Sequence, residues 1–455
     1  MKPRKTYGFF SPRTGLAPSG NPYDDMKSYQ RFRSFFGGKD KEAQQAEEKG
    51  IDESGARRVY LTGIVTGIAL AMAAMAIASV YIRRAKVGQS LDSAEKIAEI
   101  MSVLDRYSIN EYKTADLEEN MYRGLVSGIG DPYTAYFDKD AHDDFMQQTE
   151  GTYGGIGVVV TQDPNDSLIT VVTLYEGAPG AAAGMLPGDK FMKVNGEDVT
   201  NSALDEVTSK TKGPAGTIVT ITVYRPSEKS TFDIRIVREK IDVPTVLSKV
   251  VGGDKGYIRI SAFDRITYDQ FKDAYDSVNK AGITGLIIDL RNNPGGLLDV
   301  VSKITDILVP KGILVYTEDK NGNKDYTYSD DTSVKVPLAI LVNGSSASAS
   351  EVLSGAVKDL KAGVLVGEKT FGKGIVQNLY PLSDGSAVKV TVAKYYTPNG
   401  ICIQGDGLTP DYPVELDPDL ATRLSTLEEE NDTQLQKAIE VLGEMAKMEK
   451  QASKE

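Results

Sequence analysis

Residues 336–342 (VPLAILV) form a short apolar run, followed at once by Gly344 and a cluster of small hydroxyl residues. Val352, Leu353, Ala356, Val357 and Leu360 then recur at helical spacing. A second run, 285–290 (GLIIDL), ends in Arg291-Asn292-Asn293-Pro294-Gly295-Gly296 and leads into a helix through Val300 and Ile304. Strands this apolar belong to a sheet covered on both faces. Each strand–glycine turn–helix passage leaves backbone N–H groups at the strand's carboxyl end, where developing negative charge is stabilised. A serine on the first turn of such a helix sits where a nucleophile needs to be. For 291–296, a tight turn and an anion-holding turn both remain open.

A serine nucleophile needs a base. The single histidine, His142, lies far upstream and reads as a surface or core residue. The other neutral-pH base is a lysine with a lowered pKa. Lys373, in Thr370-Phe371-Gly372-Lys373-Gly374, is flanked by glycines that permit close backbone approach and desolvation. Two readings stand: a neutral amine that takes the serine proton, or a solvated lysine in a glycine-rich turn.

The stretch Gly-Ser-Ser-Ala-Ser-Ala-Ser-Glu (344–351) and the stretch Gly-Glu-Lys-Thr-Phe-Gly-Lys-Gly-Ile-Val-Gln (367–377) together resemble the catalytic core of the C-terminal processing peptidases, or tail-specific proteases. The resemblance implies that Ser348 is the nucleophile, Lys373 the general base, and Gln377 the residue that orients the lysine. It implies oxyanion donors at the Ala349 N–H and at Gly295 or Gly296. It covers about residues 90–415 and implies no cofactor. Residues 367–373 also match a P-loop up to its lysine, but Gly374 stands where the Mg²⁺-binding Ser/Thr belongs. Asp289, Asp331, Glu351 and Glu368 share no helical face and read as solvated or structural.

The 455-residue chain has room for about three domains. Its net charge of −12 argues against a nucleic-acid partner. The single cysteine, Cys402, excludes an internal disulfide and reads as a small packed residue. Residues 1–58 are polar and charged and are expected to be a disordered tail. Residues 59–82 are 24 consecutive residues without a charge, flanked by arginines, which predicts a transmembrane helix. The resemblance implies that the tail is cytoplasmic and the protease extracytoplasmic, anchored to the cell membrane by this single pass.

Residues 90–142 are a helical region, with stripes at Ile97, Ile100, Met101 and Leu104 and at Leu117, Met121 and Leu125, closed by a turn at 130–134. Residues 143–238 resemble a PDZ domain: the Pro187-Gly188-Asp189 turn, a strand, and the Asn195-Gly196 turn follow a short helix. A Rossmann reading of 151–160 fails, because the glycines precede the apolar strand. PDZ domains add a peptide as an extra strand and hold its carboxylate in backbone N–H groups. The resemblance places that loop at Gly155-Ile156-Gly157. Some family members carry arginine at the Lys212 position as a peptide sensor; a solvated turn lysine is the other reading. Residues 419–450 are an amphipathic helix or pair that either packs back or supports a homodimer.

The expected fold is α+β and multidomain: a transmembrane helix and helical region, a PDZ domain, an α/β catalytic domain (239–415) of the crotonase-like, tail-specific protease type, and a helical tail. The expected function is a membrane-anchored serine endopeptidase acting on proteins or peptides with free C-termini. The alternative is a non-catalytic PDZ scaffold at the membrane. A crotonase-like acyl-CoA enzyme accounts for neither the PDZ segment nor the membrane span.

Overall fold

The computed structural model describes residue 72 and residues 93–452, apart from 422, 425 and 426. The expected tail, 1–58, and the expected membrane segment, 59–82, lie outside the described residues except for Met72. Among the described residues no helix is long and apolar enough to cross a membrane. The described residues divide into two units after Glu111. In the first, residues 93–107 are helical, with Ile97, Ile100 and Val103 exposed.

The second unit begins with α1 (Thr114–Ser127), β1 (Ala135–Phe137), α2 (Lys139–Glu150) and β2 (Thr152–Gly155). The Asp138 carboxylate accepts the Ala141 N–H and starts α2; Gly151, in the left-handed conformation, stops it. Then come β3 (Val158–Gln162), β4 (Ile169–Leu174), α3 (Pro179–Ala182), β5 (Lys190–Val194), β6 (Glu197–Asp198), α4 (Leu204–Thr211), β7 (Ile218–Arg225) and β8 (Ser230–Val237). They form an antiparallel sheet in the order β3-β4-β5-β7-β8, with β6 beside β5. Along β7, Val219, Ile221 and Val223 alternate inward, the period of a sheet covered on one face. They pack with Ile169, Phe191, Ile236 and Val207 of α4 into a separate core. The Pro187-Gly188-Asp189 turn is fastened by a bidentate pair: Arg225 Nε and Nη2 donate to the buried Asp189 carboxylate at 2.7 and 2.8 Å.

The chain continues through β9 (Glu239–Asp242), which pairs with β2, then β10 (Val246–Val251), β11 (Lys255–Ile260), α5 (Thr267–Lys280), β12 (Gly285–Asp289) and α6 (Leu298–Leu308). There follow β13 (Ile313–Asp319), β14 (Lys324–Tyr328), β15 (Leu338–Val342), α7 (Ala349–Asp359), β16 (Val364–Gly367), β17 (Ile375–Pro381), β18 (Ala387–Tyr396), β19 (Tyr412–Pro413) and α8 (Thr433–Ala452). The central sheet runs β10-β11-β12-β15-β16-β19 and is parallel except at β10. Every residue of β12 and β15 is buried. On one face Leu286, Ile288, Leu338 and Ile340 meet Phe271 of α5, Ile304 of α6, and Leu353 and Val357 of α7. On the other, Ile287, Ala339 and Leu341 meet Leu435, Ala438 and Leu442 of α8. Burial from both sides is why these two strands show no polar alternation. Of the two expectations for the tail, packing back is the one observed. A third sheet, β1-β18-β13-β14 with β17 on β18, flanks the central one.

A buried charge network joins α8 to the end of β12. Arg291 Nε and Nη2 donate to the Asp289 carboxylate at 2.9 and 2.6 Å, and Nη1 and Nη2 donate to Asp432 at 2.9 and 2.8 Å. Tyr257 donates its hydroxyl to Asp289 Oδ2 at 2.7 Å. All three charged groups are almost fully buried. Removing one partner of such a network strands the others in a dry interior. Arg291→Ala is therefore expected to lower the unfolding free energy by about 3–5 kcal/mol, measured by chemical denaturation. A loss near zero would show that water replaces the guanidinium.

Candidate active site

The turns after β12 and β15 are stitched together. Asn343 Nδ2 donates to Asn292 Oδ1 at 2.7 Å, and Ser346 Oγ donates to the Leu290 carbonyl at 2.8 Å. Ser348 is half-buried and caps the start of α7, with φ 55° and ψ −113°. The Ala349 N–H, next in the chain, donates to no protein acceptor among the described residues. Gly295, at φ +108°, lies so close that a Cβ there would stand 2.8 Å from both the Ala347 carbonyl oxygen and Ser348 Cβ. Its N–H is already given to Asn293 Oδ1 at 2.8 Å. That corrects Gly295 as an expected oxyanion donor: the hydrogen is spent. Gly296 is exposed, and its N–H donates to no protein acceptor among the described residues.

Lys373 lies in the loop between β16 and β17, half-buried. The glycines on either side allow a tight approach: a Cβ at Gly374 would stand 2.6 Å from the Gln404 nitrogen. No helix follows β16, so residues 367–373 are not a P-loop. Lys373 Nζ lies 4.9 Å from the centroid of the Tyr133 ring. Among the described residues no hydrogen bond joins Nζ to Ser348 Oγ. Burial holds the Lys373 pKa below the usual lysine range, and the Lys389 ammonium lowers it further, against opposing pulls from Asp131 and Glu351.

Gln377 does not reach the lysine. Strand register sets it opposite Thr391, and its amide donates to Thr391 Oγ1 at 3.4 Å. That corrects the expected Gln377–Lys373 bond for this arrangement. The turn at 130–134, expected only as a boundary, instead delivers Asp131 and Tyr133 to the lysine. Thr391 N–H donates to Thr134 Oγ1 at 3.2 Å and holds that turn on β18.

The sequence reads Glu351 as solvated or structural and singles out neither Tyr395 nor Lys389. The Glu351 carboxylate, fully buried, accepts the Ser348 and Lys373 N–H groups, each at 2.9 Å. The Tyr395 hydroxyl lies 3.0 Å from the Ser348 carbonyl oxygen and also reaches the Lys373 carbonyl. The two backbones are thus tied together while the two side chains stand apart. The Ser348-x-x-Glu351 spacing of a capping box was a signal for Glu351; nothing local marks Tyr395 or Lys389.

The expected carboxylate loop lies at the edge of the first sheet. Gly155, Ile156 and Gly157 are buried, and the N–H groups of Ile156 and Gly157 donate to no protein acceptor among the described residues. Gly157, at φ +67°, leaves no room for a side chain: a Cβ would stand 2.4 Å from that of Ala178. β3 is an edge strand, with one side unpaired. Between it and α4 lies a cavity of about 60 Å³, lined by Ile156, Val158, Val160, Phe191 and Val207, with Lys212 at its mouth. Lys212 is exposed, and its Nζ lies 5.5 Å from the Tyr153 ring centroid.

Residues 254–414 match Peptidase family S41, and residues 170–225 match the PDZ domain family. The chain is 39% identical to the carboxy-terminal-processing protease of Bartonella bacilliformis over 66% of its own length and 70% of that protein's. It is 36% identical to a CtpA-like serine protease of Staphylococcus aureus, over 79% of this chain and 73% of that one. Among solved structures, the photosystem II D1 C-terminal processing protease is 30% identical, covering 69% of this chain and 86% of that one, with a TM-score of 0.42. The two family matches and the two curated relatives make the chain a member of the CtpA-type carboxy-terminal-processing serine proteases of peptidase family S41, with an internal PDZ domain.

Proposed function

We propose that this protein is a membrane-anchored endopeptidase that captures the free C-terminus of a protein substrate in its PDZ groove and cleaves with a Ser348–Lys373 dyad. The observation that carries this reading is the tie between the Ser348 and Lys373 backbones, with the lysine half-buried, lowered in pKa and in no ion pair among the described residues. The unpaired side of β3 accepts the tail as an added strand, and the Ile156 and Gly157 N–H groups receive its carboxylate. Lys212, which lines the cavity, is the proposed sensor of the occupant.

In the reaction, Ser348 Oγ attacks the scissile carbonyl carbon and its proton passes to neutral Lys373 Nζ. Nζ reaches Oγ by leaving the Tyr133 ring. Negative charge on the carbonyl oxygen is received by the N–H groups of Ala349 and Gly296. The carbon–nitrogen bond breaks as the lysine returns the proton to the leaving amine. The acyl-serine ester is then hydrolysed by a water deprotonated by the same amine. The chain's own groups suffice, without a cofactor.

Residues 59–82 supply the anchor, with the protease on the extracytoplasmic side. Membrane fractionation of the full chain beside a variant lacking residues 59–82 tests the anchor: equal recovery in the soluble fraction sinks it.

Ser348→Ala and Lys373→Ala are each expected to abolish cleavage of an unfolded protein substrate while tail-peptide binding persists; turnover in either removes the dyad. Gly295→Ala is expected to cost about 100-fold or more in kcat by displacing the nucleophile, with tail binding intact. The lysine works only when uncharged, so activity should fall as pH drops through its pKa. Lys389→Met removes a neighbouring positive charge, raises that pKa and moves the acidic limb of the kcat/KM profile to higher pH. A limb that stays in place, or moves down, would contradict this.

A further inference from the structure

Ser348 holds a positive φ outside the helical and extended regions, a conformation that a residue with a side chain adopts only where its surroundings over-determine it. Those surroundings converge on one carboxylate. Glu351 Oε2 accepts the Ser348 N–H and the Lys373 N–H, each at 2.9 Å. Its Oε1 accepts the Thr370 hydroxyl at 2.6 Å and the Gly372 N–H at 2.7 Å. One donor comes from the turn before α7 and three from the loop between β16 and β17. The Glu351 side chain is fully buried, so water does not compete for these bonds.

We propose that Glu351 is a positioning residue for peptide cleavage: its carboxylate sets the separation of the nucleophile and the base by gripping both backbones at once. The proposal rests on the reading of Ser348 and Lys373 as that pair. Glu351 reaches neither substrate nor the transferring proton. It acts through the geometry it imposes, and misplacing a reacting group by about 1 Å costs on the order of 100-fold in rate. A carboxylate suits the task because both its oxygens are acceptors. A glutamine keeps the shape but turns an NH₂ toward N–H or O–H donors, leaving two of them buried without a partner.

Glu351→Gln is therefore expected to lower kcat by about 100-fold, with KM for substrate and the affinity for a tail peptide unchanged. The acidic limb of the rate profile supplies a second readout. Lys373 is faced by Asp131 and Tyr133 from the turn before β1, by Lys389 of β18, by Tyr395 at its backbone and by Glu351 of α7. Only the last changes in this variant. Losing its negative charge lowers the lysine pKa and moves the limb to lower pH, which simple loosening of the fold would not do. Parental kcat in Glu351→Gln overturns the proposal, as does a kcat loss with no movement of the limb.

Thr370 provides a check if the glutamine variant does not fold. Thr370→Val removes one of the four donors and is expected to lower kcat by about tenfold. Thr370→Ser, which keeps the hydroxyl, is expected to restore it. Equal kcat in Thr370→Val and the parent overturns the proposal. Ser348→Ala, run alongside, keeps the two questions apart. Turnover in Ser348→Ala removes the dyad itself, whereas a dead Ser348→Ala beside a fully active Glu351→Gln removes only the clamp.

Discussion

Two strands, β12 and β15, are buried on both faces, and this constraint shapes the rest of the molecule. Helices α5, α6 and α7 cover one side and α8 covers the other. A parallel strand covered in this way passes to its helix through a turn at its carboxyl end. There, among the described residues, the backbone N–H groups of Gly296 and Ala349 are left without protein acceptors. Two neighbouring turns of the same sheet, joined by the Asn292–Asn343 and Ser346–Leu290 bonds, place those groups together. The position of Ser348 and the glycine turn packed against it both follow from that sheet.

Polar groups inside this frame are held by unusually complete sets of partners. Glu351 receives four donors in a site closed to water. Arg291 spans Asp289 and Asp432 and fastens the last helix beside the turn that carries Gly295. In both cases one charged side chain ties together segments distant in the chain. An ion or dipole network of this kind fixes relative position more tightly than apolar packing does, because each bond has a preferred direction. Lys373 is the exception, in no ion pair among the described residues. Its head group rests on an aromatic face and stays free to move.

The groove and the cleavage centre share one compact unit through β2 and β9. β2 follows α2 directly, and Arg265 N–H, beside the α5 start, donates to the Thr149 carbonyl at 3.0 Å. Phe263, two residues earlier, exchanges backbone bonds with Gly295 and Leu297. Two backbone contacts joined by the short segment 263–265 thus lead from the helix before β2 to the turn facing Ser348. They form a physical connection between the site that would hold a chain end and the site that would cut.

Much of this was legible in the linear chain. Apolar runs at 285–290 and 336–342 marked the doubly covered strands, and the small residues after them marked the turns. The order Ser348, Lys373, Gln377 and the Pro187-Gly188-Asp189 turn carried the family resemblance, because each depends on neighbours close in sequence. What the sequence could not settle concerns partners far apart in the chain. The Gln377 amide faces Thr391 because strand register puts it there. The Gly295 N–H belongs to Asn293, leaving Gly296. Tyr133 and Lys389 flank Lys373 because a turn before β1 and a strand near the C-terminus fold against the same loop. Local spacing determines which elements form and which residue types they present. Only tertiary packing decides which buried donor meets which acceptor, because that choice is made across the sheet and not along the chain.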